Sequence, residues 1–349
     1  MARANYDLDD LILDFIKRNP LRSSKEIHDG LGGIIGYATI KRAIKDLQIK
    51  KLIASTGRGK GTKYEISASY NIIHEIDVDW YFQKEIDERV IMDHFNYNLI
   101  SETLTNVTVF TEEENKHLTE LQNQYKKNIA TLSESVFKKE LERLAIDLSW
   151  KSSQIEGNTY SLLETERLLK EKQTASGKTK DEATMLLNHK AALDFIISNP
   201  NYVNPLSLSS IEDIHGILIQ ELDIDRNIRK RRVGISGTNY QPLDNEFQIR
   251  EALVDLCNLV NSQENIFAKA LFVLVLISYI QAFADGNKRT ARIISNAILI
   301  HYNYCPISFR TVDSVEYKKA MLIFYEQNNI SAFKKIFISQ FEFAVKTYF

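Results

Sequence analysis

Proline and glycine are scarce in this chain, five and thirteen among 349 residues. Both residues punctuate loops and interrupt helices, so their scarcity argues against a loop-rich or disordered protein and for a mainly helical one. Cysteine is scarcer still. Cys257 and Cys305 lie in apolar surroundings with no CxxC pattern and no clustered histidines. That argues against a disulfide scaffold or a zinc site and suits reduced core residues in a cytoplasmic protein. Long hydrophobic runs are missing as well. The most apolar stretch, Ala270 to Ile280, has about half the ~20 residues that a membrane-spanning helix needs and reads as a buried helix. The N-terminal residues lack a basic stretch followed by an apolar run and a small-residue cleavage site, so no secretory signal is visible.

What is present suits a globular protein of two or three domains, 44% hydrophobic and 26% charged. The net charge of −2 conceals an asymmetry: residues 36–65 hold eight basic side chains (Lys41, Arg42, Lys45, Lys50, Lys51, Arg58, Lys60, Lys63) against Asp46 and Glu65. An anionic partner is expected for this part of the chain.

Residues 1–68 read as a separate small domain. Leu8, Leu11, Ile12, Phe15 and Ile16 recur at helical spacing until Asn19-Pro20 ends the helix. Ser23 or Ser24 caps a second helix, and a third is predicted from about Tyr37 to Leu47. Lys51–Ser55 and Thr62–Ile66 read as strands around the glycine-rich loop Thr56–Gly61. Three helices and a basic-tipped hairpin resemble a winged helix-turn-helix, in which one helix enters the major groove and the wing touches phosphates. Thr39, Lys41, Arg42 and Lys45 would lie on that helix, with Arg58, Lys60 and Lys63 on the wing. DNA is the expected partner, and use of the domain for protein contact or dimerisation is the alternative; a homodimer stays open.

Residues 69–143 read as a helical connecting region. Its aromatic stretch from Trp80 to Tyr97 suits packing, and the charged stretch from Glu112 to Leu148 suits a pair of amphipathic helices. From 144 to 349 nearly everything reads as helix. One polar interruption, Arg229 to Asp244, has short β-branched pieces around glycine and asparagine and predicts a hairpin-like flap.

The other interruption carries the chemistry. Gln281-Ala282-Phe283-Ala284-Asp285-Gly286-Asn287-Lys288-Arg289-Thr290-Ala291-Arg292 stops a buried helix at a Gly-Asn turn and starts another. Backbone N–H groups at a helix start are unpaired and form the positive end of its dipole, an anion site. Lys288, Arg289 and Arg292 add three cations, and Asp285 is a hard oxygen ligand suited to Mg²⁺ on a polyphosphate. An ordinary interhelical turn with solvated charges is the alternative on these grounds alone.

The order of the residues resembles the signature of the Fic family, H-x-F-x-[DE]-G-N-[GK]-R-x-x-R, at Phe283, Asp285, Gly286, Asn287, Lys288, Arg289 and Arg292. The resemblance covers roughly residues 145–345 and implies a mainly α fold, a Fic-type helical domain with a β-hairpin flap. It also implies transfer of AMP from ATP to a hydroxyl of a protein target, or of the chain itself, with Mg²⁺. Asp285 would then hold the metal, with Gly286, Asn287 and Lys288 around the α- and β-phosphates. Arg289 would meet the β-phosphate and Arg292 the γ-phosphate. Phe283 would pack under the loop, and the flap residues Ile235, Gly237 and Tyr240 would dock the target. Ser152-Ser153-Gln154-Ile155-Glu156-Gly157 resembles the family's inhibitory pattern [ST]-x-x-x-E-[GN], which would set Glu156 against Arg292. A plain helix end at Glu156-Gly157-Asn158 is the alternative.

One position departs from the signature. Gln281 stands where the family has the histidine that acts as general base. An imidazole exchanges protons near neutral pH, whereas an amide only donates or accepts hydrogen bonds. Three readings follow: an inactive nucleotide-sensing regulator that binds DNA, another group such as His215 or His301 as base, or an engineered trap.

Overall fold

The computed structural model describes residues 8–67 and 69–349. The chain divides into two compact units, residues 1–75 with 106–115, and 76–105 with 116–349. The stretch 69–143, expected to be one connecting region, is thus shared between them.

In the first unit, α1 (Leu8–Arg18), α2 (Ser24–Gly30) and α3 (Tyr37–Ile49) precede an antiparallel pair, β1 (Ile53–Thr56) and β2 (Lys63–Ile66), and a short α4 (Tyr70–Ile73). Ser23 and Glu26 form a reciprocal capping box at the start of α2, which satisfies two otherwise orphaned donors. Ile12, Ile16, Ile27, Ile40, Ile44, Leu47 and Ile53 form one apolar core. Ile53 opposes Ile66 and Thr56 opposes Lys63. Between the strands Gly57 has φ +81°, and a side chain there would come within 2.5 Å of the Gly61 carbonyl, so the turn requires glycine.

The second unit is built of helices. After α5 (Val78–Tyr81) and short turns come α6 (Glu112–Ala130, its first turn grouped with the first unit) and α7 (Glu134–Ile155). Then follow α8 (Leu162–Glu171), α9 (Lys180–Ser198), α10 (Leu208–Leu218), α11 (Glu246–Ser262), α12 (Ile266–Ile280), α13 (Asn287–His301), α14 (Ser314–Gln327) and α15 (Ser331–Tyr348). Capping boxes at Ser161/Glu164 and Thr179/Glu182 open α8 and α9. Helix α12 is buried on every side from Phe267 to Ile280. Complete burial of such side chains contributes roughly 1.5–3 kcal/mol each, which explains why this helix takes the centre. Its one charge, Lys269, is accommodated by the carbonyls of Val260 (2.8 Å) and Asn261 (3.2 Å). Helix α13 lies against α12, and α7, α9, α10, α11, α14 and α15 surround the pair. Cys257 and Cys305 are buried and free. No helix among the described residues is long and apolar enough to cross a membrane.

The expected hairpin flap does not form as a hairpin. Residues 231–243 contain no strand pair, only a turn at Ser236–Gly237 and a single bridge from Gln241 to His94. The reason lies in where its backbone groups go. The Gly237 carbonyl accepts from Arg89 (2.7 Å), the Gln241 N–H donates to the Asp93 carbonyl (2.7 Å), and the Leu243 carbonyl accepts from Arg229. The segment's backbone groups pair with residues 89–93 and with the Arg229 side chain instead of with the backbone of its own other limb.

Candidate nucleotide site

Helix α12 ends at Gln281 in a left-handed conformation (φ 52°, ψ 55°). The chain then turns through buried Ala282 and Phe283 to Gly286 (φ 83°), and α13 starts at Asn287. The N–H groups of Asn287, Lys288 and Arg289 open this helix and have no intrahelical acceptor by position. The turn is held by the Asn287 side chain. Its Oδ1 accepts from the Phe283 N–H (2.9 Å), while its Nδ2 donates to the Phe283 carbonyl (2.8 Å) and to Gln281 Oε1 (3.1 Å). The Asn287 amide thus points into the loop, which leaves its backbone N–H as its group for an anion. Gly286 is required twice over: its φ is positive, and a side chain would lie 3.2 Å from His215 Cε1.

Lys288, Arg289, Asp285 and Gln281 line one cleft of about 400 Å³, closed by Ile155, Glu156, Gly234, Ile235, Ser236 and the α14 residues Lys318, Met321, Leu322 and Tyr325. Arg289 is 1% exposed and donates to Asp285 Oδ2 (2.9 Å), whose own side chain is 59% exposed to the cleft. Arg292 is fully buried behind them and donates to Glu156 Oε1 (2.6 Å) and to the Ser152 carbonyl (3.2 Å). Lys288 reaches the other oxygen of Glu156 (3.3 Å). Burial alone would raise the Glu156 carboxyl, but Arg292, Lys288 and Arg289 hold it below the ordinary carboxylate range. Burial lowers Arg289, while Arg292, lowered by burial, is carried above the usual arginine value by Tyr317 and Glu156. The Nε and Nη1 groups of Arg289 have no hydrogen-bond partner among the described residues, while Arg292 lies over the Tyr317 ring, 5.2 Å from its centroid. Buried donors of this kind call for acceptors.

Ser152 meets Arg292 through its carbonyl, and its hydroxyl has no partner among the described residues. Glu156 also ends α7: the Asn158 N–H bonds to the Ser153 carbonyl (3.0 Å) and that of Gly157 to Gln154 (3.0 Å). This is the Schellman pattern, with Gly157 at φ +102°. The helix-end turn and the contact with Arg292 occur together at Glu156, because the turn aims the carboxylate at that arginine.

The candidates for a substitute base separate clearly. His215 lies beneath the loop, stacked on Phe283 with ring centroids 3.7 Å apart and Nδ1 3.4 Å from Thr290 Oγ1. Burial first, then the Arg289 charge, lowers it to about 4, so it is neutral and weakly basic at neutral pH. His301 bonds to Asn201 (3.0 Å) and is absent from the cleft lining. Gln281 uses both ends of its amide, Nε2 to the Ser278 carbonyl (2.6 Å) and Oε1 to Asn287.

Of the flap residues, Ile235 lines the cleft. Tyr240 does not face a target: its ring is 2% exposed, stacked on Tyr279 (4.9 Å) and Tyr325 (5.7 Å), with its hydroxyl on the Tyr279 carbonyl (3.1 Å). An aromatic ring gains more in that stack than in water. Gly237 cannot offer its carbonyl freely, since Arg89 holds it. In the first unit Thr39, Lys41, Arg42, Lys45 and Arg58 are exposed. Lys63 is drawn aside by Glu26 (2.7 Å), and the Lys60 side chain lies outside the described residues. The buried position of Arg229 has no signal in its sequence context. The residue sits in the run Arg229-Lys230-Arg231-Arg232, where nothing distinguishes a buried arginine from solvated neighbours.

Residues 205–299 match the model of the Fic/DOC family. The chain is 27% identical over 161 residues to the protein adenylyltransferase Fic of Culex quinquefasciatus, covering 44% of this chain and 31% of that protein. It is 28% identical over 169 residues to that of Aedes aegypti (44% and 32%). For the protein adenylyltransferase fic-1 of Caenorhabditis elegans the match is 27% over 174 residues (47% and 33%). The chain thus spans about a third of the length of these curated relatives. Among solved structures, a fragment of C. elegans Fic-1 superposes with a TM-score of 0.58 at 20% identity, over 68% of this chain and 72% of that one. A Fic-domain-containing signaling protein of Bacteroides thetaiotaomicron gives 0.57 at 20%, over 66% and 94%. Residues 205–299 thus resemble a Fic domain, and the mainly helical fold is of the type that these solved Fic structures have.

Proposed function

We propose that the cleft binds ATP and that the domain belongs to the class that transfers AMP to a protein hydroxyl, restrained by Glu156. The observation that carries this reading is the convergence of Lys288, Arg289 and the α13 N-terminus on one cleft, with Glu156 on its wall pairing with Lys288 and with Arg292, which is buried behind. The Arg289 guanidinium, which lines the cleft and keeps two donors unpaired among the described residues, suits phosphate oxygens. A γ-phosphate reaching for Arg292 would meet the Glu156 carboxylate first. Hence self-inhibition follows from charge: the arginine is already paired, and two anions cannot share it without repulsion.

The donor set also fits a hard cation. Asp285 presents an exposed carboxylate at the cleft, and no group of three or more His, Cys, Asp or Glu among the described residues forms a protein-only cage. One carboxylate completed by phosphate oxygens and water is the usual arrangement for Mg²⁺. Such a metal would neutralise charge developing on the phosphates. Asp285 would hold it, Arg289 would keep Asp285 oriented, and the helix start would bind the remaining oxygens.

The hydroxyl proton has no good acceptor. The amide of Gln281 has no useful basicity, and His215 is buried under the loop. Turnover of the chain as it stands is therefore slow or absent, and a second reading follows: a nucleotide-sensing regulator whose first unit binds DNA through a winged helix. Exposure of Thr39, Lys41, Arg42 and Lys45 along α3 favours it.

One experiment separates the two. The chain is incubated with labelled ATP and Mg²⁺ as it stands, with Glu156→Gly and with Gln281→His. The transfer reading expects labelling to rise with Gln281→His by about 10²–10⁴-fold, the usual contribution of a general base, and to rise further with both changes. ATP binding by calorimetry without labelling in any variant supports the sensor. Absence of ATP binding even with Glu156→Gly rejects both.

A further inference from the structure

Arg229 is only 4% exposed, and no carboxylate bonds to it among the described residues. Each of its three side-chain nitrogens donates to a backbone carbonyl: Nε to Gln281 (2.5 Å), Nη1 to Arg231 (2.9 Å) and Nη2 to Leu243. Its own N–H donates to the Ala282 carbonyl (3.0 Å). Arg231 and Leu243 are the two feet of the 231–243 segment, which lines the cleft with Gly234, Ile235 and Ser236. Gln281 is the first residue of the loop on the cleft's other wall. One guanidinium thus ties both feet of one wall to the turn that carries the other.

The chemistry suits arginine and little else. A buried cation without an anion is costly, and three carbonyl dipoles offset it only if its donors diverge in a fixed plane, as a guanidinium's do. The same contact supports Gln281 in the left-handed region, which strains a non-glycine residue by roughly 1 kcal/mol or more. Such strain persists where the surroundings over-determine it. We propose that Arg229 is a positioning residue: it joins the 231–243 segment and the turn at 281 into one rigid unit. The side chain at 281 then keeps its place relative to the edge along which a target would lie. This rests on the transfer reading for its kinetic consequence, though not for the coupling itself.

Two measurements on the full chain test it. In hydrogen exchange, Arg229→Gln is expected to lose protection in 231–243 and in 281–283 together, while α12 and α15 keep theirs. Exchange that rises in one of these segments alone, rises uniformly, or does not change overturns the coupling. In the Gln281→His background, adding Arg229→Gln is expected to lower kcat about 10²-fold, the size expected for misplacing a catalytic group by about 1 Å. KM for ATP should stay within about twofold. Arg229→Lys, which keeps the charge without the fork, should fall between. A KM rise with kcat unchanged overturns the positioning role. Should Gln281→His with Glu156→Gly give no transfer at all, the transfer reading fails, and the exchange result still decides the coupling.

Discussion

At Glu156 two demands fall on one residue: closing α7 and neutralising Arg292 and Lys288. Its carboxyl is held below the ordinary range in the folded chain, so the unfolded chain takes up the proton more readily as pH falls. The contribution of the pair is therefore complete above the ordinary carboxylate range and is lost as pH drops through the folded value. Thermal melts from neutral to acid pH should show the native chain losing stability faster than Glu156→Gln, with the two curves converging at the acid end. Parallel curves would mean that the pair contributes nothing to folding. At this scale the residue types were legible from sequence, because charge and order are local. The Lys288–Glu156 contact (3.3 Å) was not, since the inhibitory pattern implies only the pairing with Arg292 and packing decides which second cation reaches the carboxylate.

The turn between α12 and α13 is an element in which backbone geometry sets the chemistry. Gly286→Ala places a side chain at positive φ and 3.2 Å from His215. Strain of about 1–2 kcal/mol plus the contact should appear in urea unfolding, together with weaker ATP binding by calorimetry. Gly157→Ala is the control: its φ is also positive, but nothing lies within 4 Å of the added carbon. It should cost the conformational strain alone, and an equal loss at both sites would refute the steric part. The flap shows why such elements are hard to read in advance. Short β-branched pieces around glycine do favour a hairpin. Whether the limbs pair depends on what else offers hydrogen bonds: here Arg89 and Asp93 do so from elsewhere in the chain, and the Arg229 side chain takes the Leu243 carbonyl.

For the whole molecule the open matter is whether the basic first unit binds nucleic acid. If α3 enters a groove, Arg42→Ala and Lys45→Ala should each reduce the slope of log K against log salt by about 1, as expected for the loss of one phosphate contact. Lys63→Ala should leave the slope nearly unchanged, since Glu26 already holds that amine. Binding titrations of the full chain at several salt concentrations measure this, and slopes indifferent to Arg42 and Lys45 would exclude α3 as the DNA-binding helix.

By itself the sequence determined the helical character, the buried course of α12, the cations at the start of α13 and the missing imidazole at 281. The first three are properties of composition, periodicity or local order, and the last is what the resemblance to the Fic signature implies. Only the tertiary structure decided that Tyr240 belongs to an aromatic stack, that Asn287 closes its own loop, that His215 is confined beneath it, and that Arg229 spans the cleft's two walls. Each of these depends on which distant groups fold packing brings into hydrogen-bonding range, and burial then makes every such pairing matter because unpaired polar groups are costly there.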